Sequence, residues 1–206
     1  MTAQRSSDPA PIAVHPWPAS RPQLAAAAGL DLIVISVATP DSAPRPAARE
    51  QLRGAVRELL GLQLECAPAA IKLLSIPGQA PRLDLPRLPG HSIGLSASHD
   101  AGISVAAIHR CGPVGIDILR ITQRFDWQPV ARDYLGIKAL ERIAGLPQLE
   151  QMPAFAREWT RLEAALKCLG LGLQEWSAAL EARMGACHLT ALELPAGLFG
   201  AVARRR

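Results

Sequence analysis

The stretch VGIDILRI at residues 114–121 carries the clearest fold signal in the chain. Val114, Ile116 and Ile118 alternate along it, and this period of two predicts a β-strand. Asp117 lies between two isoleucines, and an ionised carboxylate is costly to bury unless it is paired or binds a cation. If the strand is half exposed, Asp117 instead faces water on the polar side of the strand. The sequence alone leaves both interpretations open.

Helical periodicity dominates residues 128–169, which follow this strand. Glycine and proline divide the region into two or three helices, with breaks near Gly136 and at residues 145–147. The last helix has an apolar stripe at spacings of four, three, four and three residues, formed by Phe155, Trp159, Leu162, Leu166 and Leu169. Two alternating segments, 187–194 and 198–203, predict a closing β-hairpin. The three arginines at residues 204–206 are interpreted as a solvated tail.

A similar order of elements precedes the strand. Residues 31–38, DLIVISVA, form a compact β-branched run that predicts a buried strand. Residues 45–60 predict a helix whose apolar side chains share one face, with Gly61 at its end. A short strand is predicted at residues 71–75. Segments 92–98 and 102–109 predict a β-hairpin whose turn is His99-Asp100-Ala101.

Strand, helix and hairpin therefore occur twice, which predicts an α+β fold of two similar halves related by a pseudo-two-fold axis. We place the N-terminal half at residues 29–112 and the C-terminal half at residues 113–206. Residues 1–28, rich in proline, alanine and serine, are expected to form a loosely ordered lead-in. The crevice between the two halves is the natural place for a ligand.

Composition limits the possible partners. The chain has 206 residues and a net charge of +4, carried mostly by arginine. Because this excess is small and no basic stripe alternates with aromatic residues, we expect anionic partners such as phosphorylated molecules, but no nucleic acid. No apolar window is long enough for a membrane helix, and no apolar leader is visible. Four scattered cysteines indicate reduced thiols, so we expect a cytoplasmic protein without membrane contact. We also expect it to be a monomer.

Glu163 and Lys167 lie four residues apart on the last predicted helix. One interpretation is an ordinary ion pair between neighbouring turns, worth about 0.2–0.5 kcal/mol. The other is a metal-binding carboxylate with a lysine one turn beyond, both directed into the crevice. Mg²⁺ binds through one or two carboxylates while water and substrate phosphates complete its shell, and Asp117 and Glu163 would supply that number.

Two further groups of polar residues suit an anionic ligand. Ser98 and His99 lie at the predicted hairpin turn, where a hydroxyl and an imidazole can hydrogen-bond a phosphate; a solvent-exposed turn is the alternative. Arg45, Arg49 and Arg53 recur every four residues along the first helix and form one basic stripe. Such a stripe is often a solvated surface, although it also suits the phosphates of a nucleotide.

The order and spacing of these motifs resemble the Sfp-type 4′-phosphopantetheinyl transferase family over residues 45–177. In that family a Ser-His pair precedes a strand, a Val-Gly-Ile-Asp signature follows, and a helix with the pattern Trp-Ser/Thr-x-Lys-Glu-x-x-x-Lys comes next. The matching segments are SASHDAGISVAAI at 96–108, GPVGIDI at 112–118 and EWTRLEAALKCLGLGL at 158–173. GQAPR at residues 78–82 resembles the Gly-Lys-Pro loop of the family.

The resemblance implies an Mg²⁺-dependent enzyme that moves phosphopantetheine from coenzyme A to a serine of an acyl or peptidyl carrier protein, releasing 3′,5′-ADP. It implies that Asp117 and Glu163 bind the metal, and that Asp117, Glu163 and Lys167 are catalytic. It also implies a group of residues that bind coenzyme A: Ser98, His99, Arg45, Arg49, Arg82 and Lys167.

Two positions depart from the family pattern. Leu119 stands where a second acid usually follows the aspartate, and Leu162 stands where a lysine usually precedes the glutamate. The loss of these two charges favours a second interpretation, in which the chain is a weakened or inactive relative that acts as a module binding coenzyme A or a carrier protein.

Overall fold

The computed structural model describes residues 9–19, 30–40, 42, 44–74, 82–84, 93–100, 102–123 and 125–205, with backbone alone at residues 82 and 84. The strands within this part of the chain are β1 Ile12–Ala13, β2 His15–Pro16, β3 Leu32–Ala38, β4 Lys72–Leu74, β5 Arg82–Asp84, β6 Gly94–Asp100, β7 Ile103–His109, β8 Val114–Arg120, β9 Cys187–Glu193 and β10 Leu198–Arg205. The α-helices are α1 Arg45–Gln63, α2 Gln128–Val130, α3 Ile137–Ala144, α4 Gln148–Leu169 and α5 Ala178–Met184. A 3-10 helix at Pro68–Ala70 and a π-helix at Ala131–Leu135 complete the helical elements that the structure describes.

The first four-stranded sheet has the order β2-β3-β7-β6, and α1 packs against it. β7 pairs antiparallel with both β3 and β6. Leu52, Val56 and Leu59 of α1 are buried in one cluster with Ile33 and Ile108 of the sheet. Because full burial of one such side chain is worth about 1.5–3 kcal/mol, this shared face fixes the helix on the sheet. The strand and helix predicted here are confirmed.

The predicted end of α1 is wrong, because the helix continues two residues past Gly61 to Gln63. Gly61 is required for close packing rather than for ending the helix. A Cβ atom at this position would lie 2.8 Å from the carbonyl oxygen of Cys66. The last helical bond runs from the N–H of Leu64 to the carbonyl of Leu60, over 2.9 Å.

The second four-stranded sheet has the order β1-β9-β10-β8, and α4 packs against it. Alternate residues of β8, Val114, Ile116 and Ile118, are buried in a cluster that also contains side chains of β3 and β7. The intervening residues face α4. At Gly115 the helix lies directly on the strand, since a Cβ atom there would be 1.9 Å from the carbonyl oxygen of Ala164.

The helical region follows the prediction, with breaks at Gly136, whose φ is 84°, and before α4. The closing hairpin of β9 and β10 is also confirmed. The interpretation of the last arginines as a tail is wrong for Arg204 and Arg205, which belong to β10; Arg204 pairs with Val114. Helix α5 was not predicted, and the hydroxyl of Ser177 caps it by accepting a 3.1 Å bond from the N–H of Leu180.

The two sheets share one connectivity. A first strand, then a helix, then a hairpin give the spatial orders β3-β7-β6 and β8-β10-β9, in which the second hairpin strand lies in the middle. All these pairings are antiparallel. The predicted α+β class is therefore confirmed, while the pseudo-two-fold relation and the boundary between residues 112 and 113 stay predictions.

The N-terminal segment contributes to both sheets. β1 pairs parallel with β9, and β2 pairs parallel with β3. Residues 12–16, which we expected in a loosely ordered lead-in, thus add one short strand to each sheet. No helix in the described ranges is both long and apolar enough to cross a membrane.

The hairpin of β6 and β7 differs from the prediction in the position of its turn. β6 continues through Asp100, so Ser98 and His99 are strand residues and not turn residues. The turn includes Gly102, whose φ of 79° is unfavourable for other residues, while Ala101 lies outside the described residues.

The edge strands of the two sheets, β6 and β8, approach each other closely. Ile93 forms a parallel bridge with Gly112. A Cβ atom on Gly94 would lie 2.1 Å from the carbonyl oxygen of Gly112, so only glycine fits here. This contact fixes where the two strands begin to run side by side.

Beyond that point, side chains of β6 replace backbone pairing. Three side chains two residues apart each accept a backbone N–H of β8, and we call this set of bonds the seam: Ser96 from Ile116 at 3.1 Å, Ser98 from Ile118 at 3.3 Å, and Asp100 from Arg120. Since residues two apart on a strand share a face, one face of β6 supplies the whole seam.

Candidate active site

Asp117 lies in the middle of β8 on the face covered by α4. It is 7% exposed, so the interpretation in which it faces water is excluded. Its position follows from the alternation of β8: the isoleucines on either side enter the core between the sheets, and Asp117 is turned to the helix. A buried carboxylate requires partners, and the structure supplies them from two elements.

The first partner is Lys167 of α4. Its Nζ donates to Asp117 Oδ1 at 2.6 Å and to the carbonyl oxygen of Ile116 at 3.1 Å. The same Nζ lies 3.8 Å from Glu163 Oε2. The pair of Glu163 and Lys167 is therefore not an isolated helix ion pair, because the shorter and charge-assisted bond goes to Asp117 on the strand.

Glu163 completes the group of charges. Burial raises the pKa of its carboxyl, the negative charge of Asp117 raises it further, and the positive charge of Lys167 opposes both effects. Two carboxylates around one cationic group form a site in which an additional cation relieves the repulsion between the acids. In the described residues no group of three or more His, Cys, Asp or Glu side chains is arranged to hold a metal. The two acids suit Mg²⁺, because this ion is commonly bound by one or two carboxylates while water and phosphate oxygens complete its coordination shell.

The second partner of Asp117 is Ser98 of β6. The Ser98 hydroxyl donates to Asp117 Oδ1 at 2.8 Å and accepts the N–H of Ile118 at 3.3 Å. Ser98 is 7% exposed. The site thus draws one side chain from the first sheet and the others from β8 and α4.

His99, the next residue of β6, has a different environment. Its Nδ1 lies 2.8 Å from the hydroxyl of Ser104. Burial, followed by the positive charges of Arg49, Arg45 and Lys167, lowers the pKa of His99 to about 4. The structure therefore brings the predicted arginines of α1 close enough to His99 to act on its charge.

The basic stripe of α1 divides into two parts. Arg53 and Arg57 bond the carboxylate of Glu50, at 3.4 and 3.0 Å. Arg45 and Arg49 are exposed, and no ion pair to either is present among the described residues. These two side chains are thus the part of the stripe available to an anionic ligand. The side chain of Arg82 lies outside what the structure describes, although its backbone belongs to β5.

The two departures from the family pattern have different surroundings. Leu162 is 3% exposed and packs with Leu166 and Leu180, on a part of α4 that faces the neighbouring helices. Its apolar character serves the core and removes no charge from the group around Asp117. Leu119 is partly exposed and pairs with Phe199 across β10.

A separate cavity of about 280 Å³ lies between α3, α4 and α5. Its lining includes Lys138, Arg161 and Trp176, but not Asp117, Glu163 or Lys167. The sequence did not predict this cavity, because α5 and the residues that precede it show no pattern that predicts a helix. The titratable groups that converge at Asp117 make that position the candidate active site.

Residues 113–193 match the model of the 4′-phosphopantetheinyl transferase superfamily. The matched range includes β8 and α4, which carry Asp117, Glu163 and Lys167. The match confirms the resemblance for the motifs of β8 and α4, and it supports a transferase as the class of protein. The Ser98-His99 motif and the arginines of α1 lie outside the matched range. None of the curated proteins compared with the chain matches it.

Proposed function

We propose that the protein is a 4′-phosphopantetheinyl transferase that moves phosphopantetheine from coenzyme A to a serine of an acyl or peptidyl carrier protein. The convergence of Asp117, Glu163 and Lys167 in one partly buried site, within the matched residues, carries the proposal. We further propose that it acts as a cytoplasmic monomer, without nucleic acid or membrane contact.

Coenzyme A would bind along the side of the site where His99 lies, close to Arg45 and Arg49 of α1. Arg45 and Arg49 supply positive charge near His99, which suits the phosphates of the adenosine part. Lys167 lies deeper, beside both acids, and suits the pyrophosphate. Arg82 stays a proposed ligand on the resemblance alone.

Asp117 and Glu163 would hold Mg²⁺, which when bound supplies positive charge to the pyrophosphate. The serine oxygen of the carrier attacks the β-phosphorus of coenzyme A, and the bond from that phosphorus to the bridging oxygen breaks. Glu163, directly or through a water, accepts the serine proton; its raised pKa brings it closer to the range suited to a general base. Lys167 stabilises the negative charge left on the departing 3′,5′-ADP.

A direct test is incubation of the protein with coenzyme A, Mg²⁺ and a panel of apo carrier proteins. Intact mass spectrometry of the carriers reads the result. We expect one phosphopantetheine group on a serine of at least one carrier, and none when EDTA replaces Mg²⁺. The site serine is identified because its substitution by alanine in that carrier removes the added mass.

Leu119 favours a second candidate function, a non-catalytic module that binds coenzyme A or a carrier protein. With leucine at this position, the described site offers two acids and not three. The surroundings of Leu162 give this candidate no support, because that residue belongs to the core. Tight binding of coenzyme A without transfer to any carrier would support the module.

A further inference from the structure

We propose that Ser98 is a positioning residue that holds the carboxylate of Asp117 in place, and not a ligand of a coenzyme A phosphate. The proposal rests on the proposed function, because it assigns Ser98 a role in loading the metal site. The sequence resemblance implied a phosphate contact for Ser98. The hydrogen bonds of Ser98 favour the different role.

The Ser98 hydroxyl has one hydrogen to donate, and this hydrogen is used by Asp117 Oδ1 at 2.8 Å. An ionised phosphate oxygen accepts hydrogen bonds and donates none, so a phosphate ligand would compete with Asp117 for that hydrogen. The oxygen of the hydroxyl accepts the N–H of Ile118 at 3.3 Å. With 7% exposure, Ser98 also has little surface on which a phosphate could lie.

The seam explains why Ser98 can fix Asp117 with precision. Ser96 and Ser98 accept backbone N–H groups of β8 two residues apart, so β6 and β8 are held in register on both sides of Asp117. Among the described contacts, Ser98 hydrogen-bonds the side chain of Asp117, whereas Ser96 bonds the backbone of β8. The position of the Asp117 carboxylate is therefore fixed relative to both sheets.

Lys167 makes the placement two-sided. It donates to Oδ1 of Asp117 from α4, while Ser98 donates to the same oxygen from β6. Neither bond uses Oδ2. Two donors on one oxygen hold the plane of the carboxylate, and outer partners of metal ligands typically contribute 10–100-fold to metal affinity.

Ser96 provides a matched control for Ser98, because it makes the same kind of seam bond without touching Asp117. The experiment compares Ser98→Ala with Ser96→Ala in two titrations. Calorimetry with Mg²⁺ at saturating coenzyme A measures metal affinity, and calorimetry with coenzyme A in EDTA measures metal-free binding. We expect Ser98→Ala to weaken Mg²⁺ binding about tenfold or more. We expect Ser96→Ala to leave it within about twofold, and neither variant to change metal-free coenzyme A affinity.

A second comparison distinguishes the loss of the Ser98 hydroxyl from misfolding of the variant. Ser98→Thr keeps a hydroxyl. Ser98→Val introduces a side chain of nearly the same shape as threonine but without a hydroxyl. We expect the threonine variant to retain metal affinity and the valine variant to lose it.

Two results would overturn the proposal while leaving the proposed function intact: weaker coenzyme A binding by Ser98→Ala in EDTA, or equal metal affinity in all serine variants. Absence of Mg²⁺ binding by the wild-type protein with coenzyme A would contradict the proposed function itself, and with it this role of Ser98.

Discussion

Lys167 is the residue that holds the two acids of the site together. Its ammonium group lies 2.6 Å from Asp117 Oδ1 and 3.8 Å from Glu163 Oε2. Without this group, two neighbouring carboxylates would repel each other in a partly buried site. Removal of one partner of a buried charged pair leaves a charge uncompensated, which costs more than the pair contributes. The Lys167 side chain is 30% exposed, so solvent screens part of this cost.

We therefore expect Lys167→Met to lower the free energy of unfolding by up to about 3 kcal/mol, the low end of the range for breaking a buried pair. Added Mg²⁺ should restore stability to this variant more than to wild type, because the metal replaces the lost positive charge between the acids. Urea unfolding with and without Mg²⁺ measures both effects. Lys138→Met, on the exposed side of α3, is the control. A Lys167→Met protein as stable as wild type in EDTA would contradict the assigned contacts.

His99 predicts a pH dependence of stability. Because its pKa in the folded protein is about 4, below the ordinary value of 6.5, folding favours the neutral ring. The resulting stability is fully present above pH 6.5 and is lost as the pH falls from 6.5 towards 4. We expect wild type to lose more unfolding free energy than His99→Gln across this interval, as urea titrations at several pH values would measure. Parallel curves for the two proteins would show that His99 titrates normally.

The roles of Asp117, Glu163 and Lys167 were predicted from the resemblance of their motifs to a known family, and the structure brings the three side chains together. The sequence did not indicate that Ser98 bonds Asp117. That bond joins residues 19 positions apart on edge strands of different sheets. The relative register of such strands depends on tertiary packing, and a motif in either strand does not reveal it.

Helix α4 depends on its close contact with β8, and Gly115 makes that contact possible. A Cβ atom there would lie 1.9 Å from the carbonyl oxygen of Ala164 and 2.5 Å from the backbone nitrogen of Cys168. Backbone atoms cannot rotate away as a side chain can. The helix would have to move outward, and Lys167, which precedes Cys168, would move with it.

We expect Gly115→Ala to cost about 3 kcal/mol or more in unfolding free energy, at the upper end of the range for overpacked cores. Thermal unfolding would measure the loss. Gly172→Ala is the matched control, because a Cβ atom at Gly172 meets nothing within 4 Å. An unchanged melting temperature for Gly115→Ala would contradict the packing of α4 on β8.

The elements with strong periodicity were predictable, and the others were not. The apolar stripe of α4 and the alternation of β8 each identified an element and its buried face. The turn after β6 was misplaced because aspartate is a residue type common in turns. In the structure Asp100 is a strand residue, and its side chain accepts the N–H of Arg120 across the seam. α5 has seven residues, too few to show a helical period, and its capping residue Ser177 is the one local signal.

At the scale of the molecule, the described part of the chain contains two four-stranded sheets with the same connectivity. They are joined at their edges by the seam and by the N-terminal residues, and β4 and β5 form a separate two-stranded sheet. The order of elements along the chain was sufficient to predict the α+β class. It was not sufficient to predict that β1 and β2 would extend different sheets, since two-residue strands have no readable pattern. The candidate site lies beside the seam, where a side chain of one sheet meets the strand and helix of the other. We propose that this junction, and not either sheet alone, forms the transferase site.

The central claim is that Glu163 acts in the transfer of phosphopantetheine, and one measurement tests it most directly. Wild type, Glu163→Gln and the control Glu158→Gln are each given coenzyme A, Mg²⁺ and the apo carrier. Coenzyme A affinity and the rate of carrier modification are measured on the same samples. Glu158 lies on the same helix but pairs with Arg142. We predict that Glu163→Gln binds coenzyme A yet transfers about 10²–10⁴ times more slowly, whereas Glu158→Gln matches wild type. Equal transfer by Glu163→Gln and wild type would contradict the account.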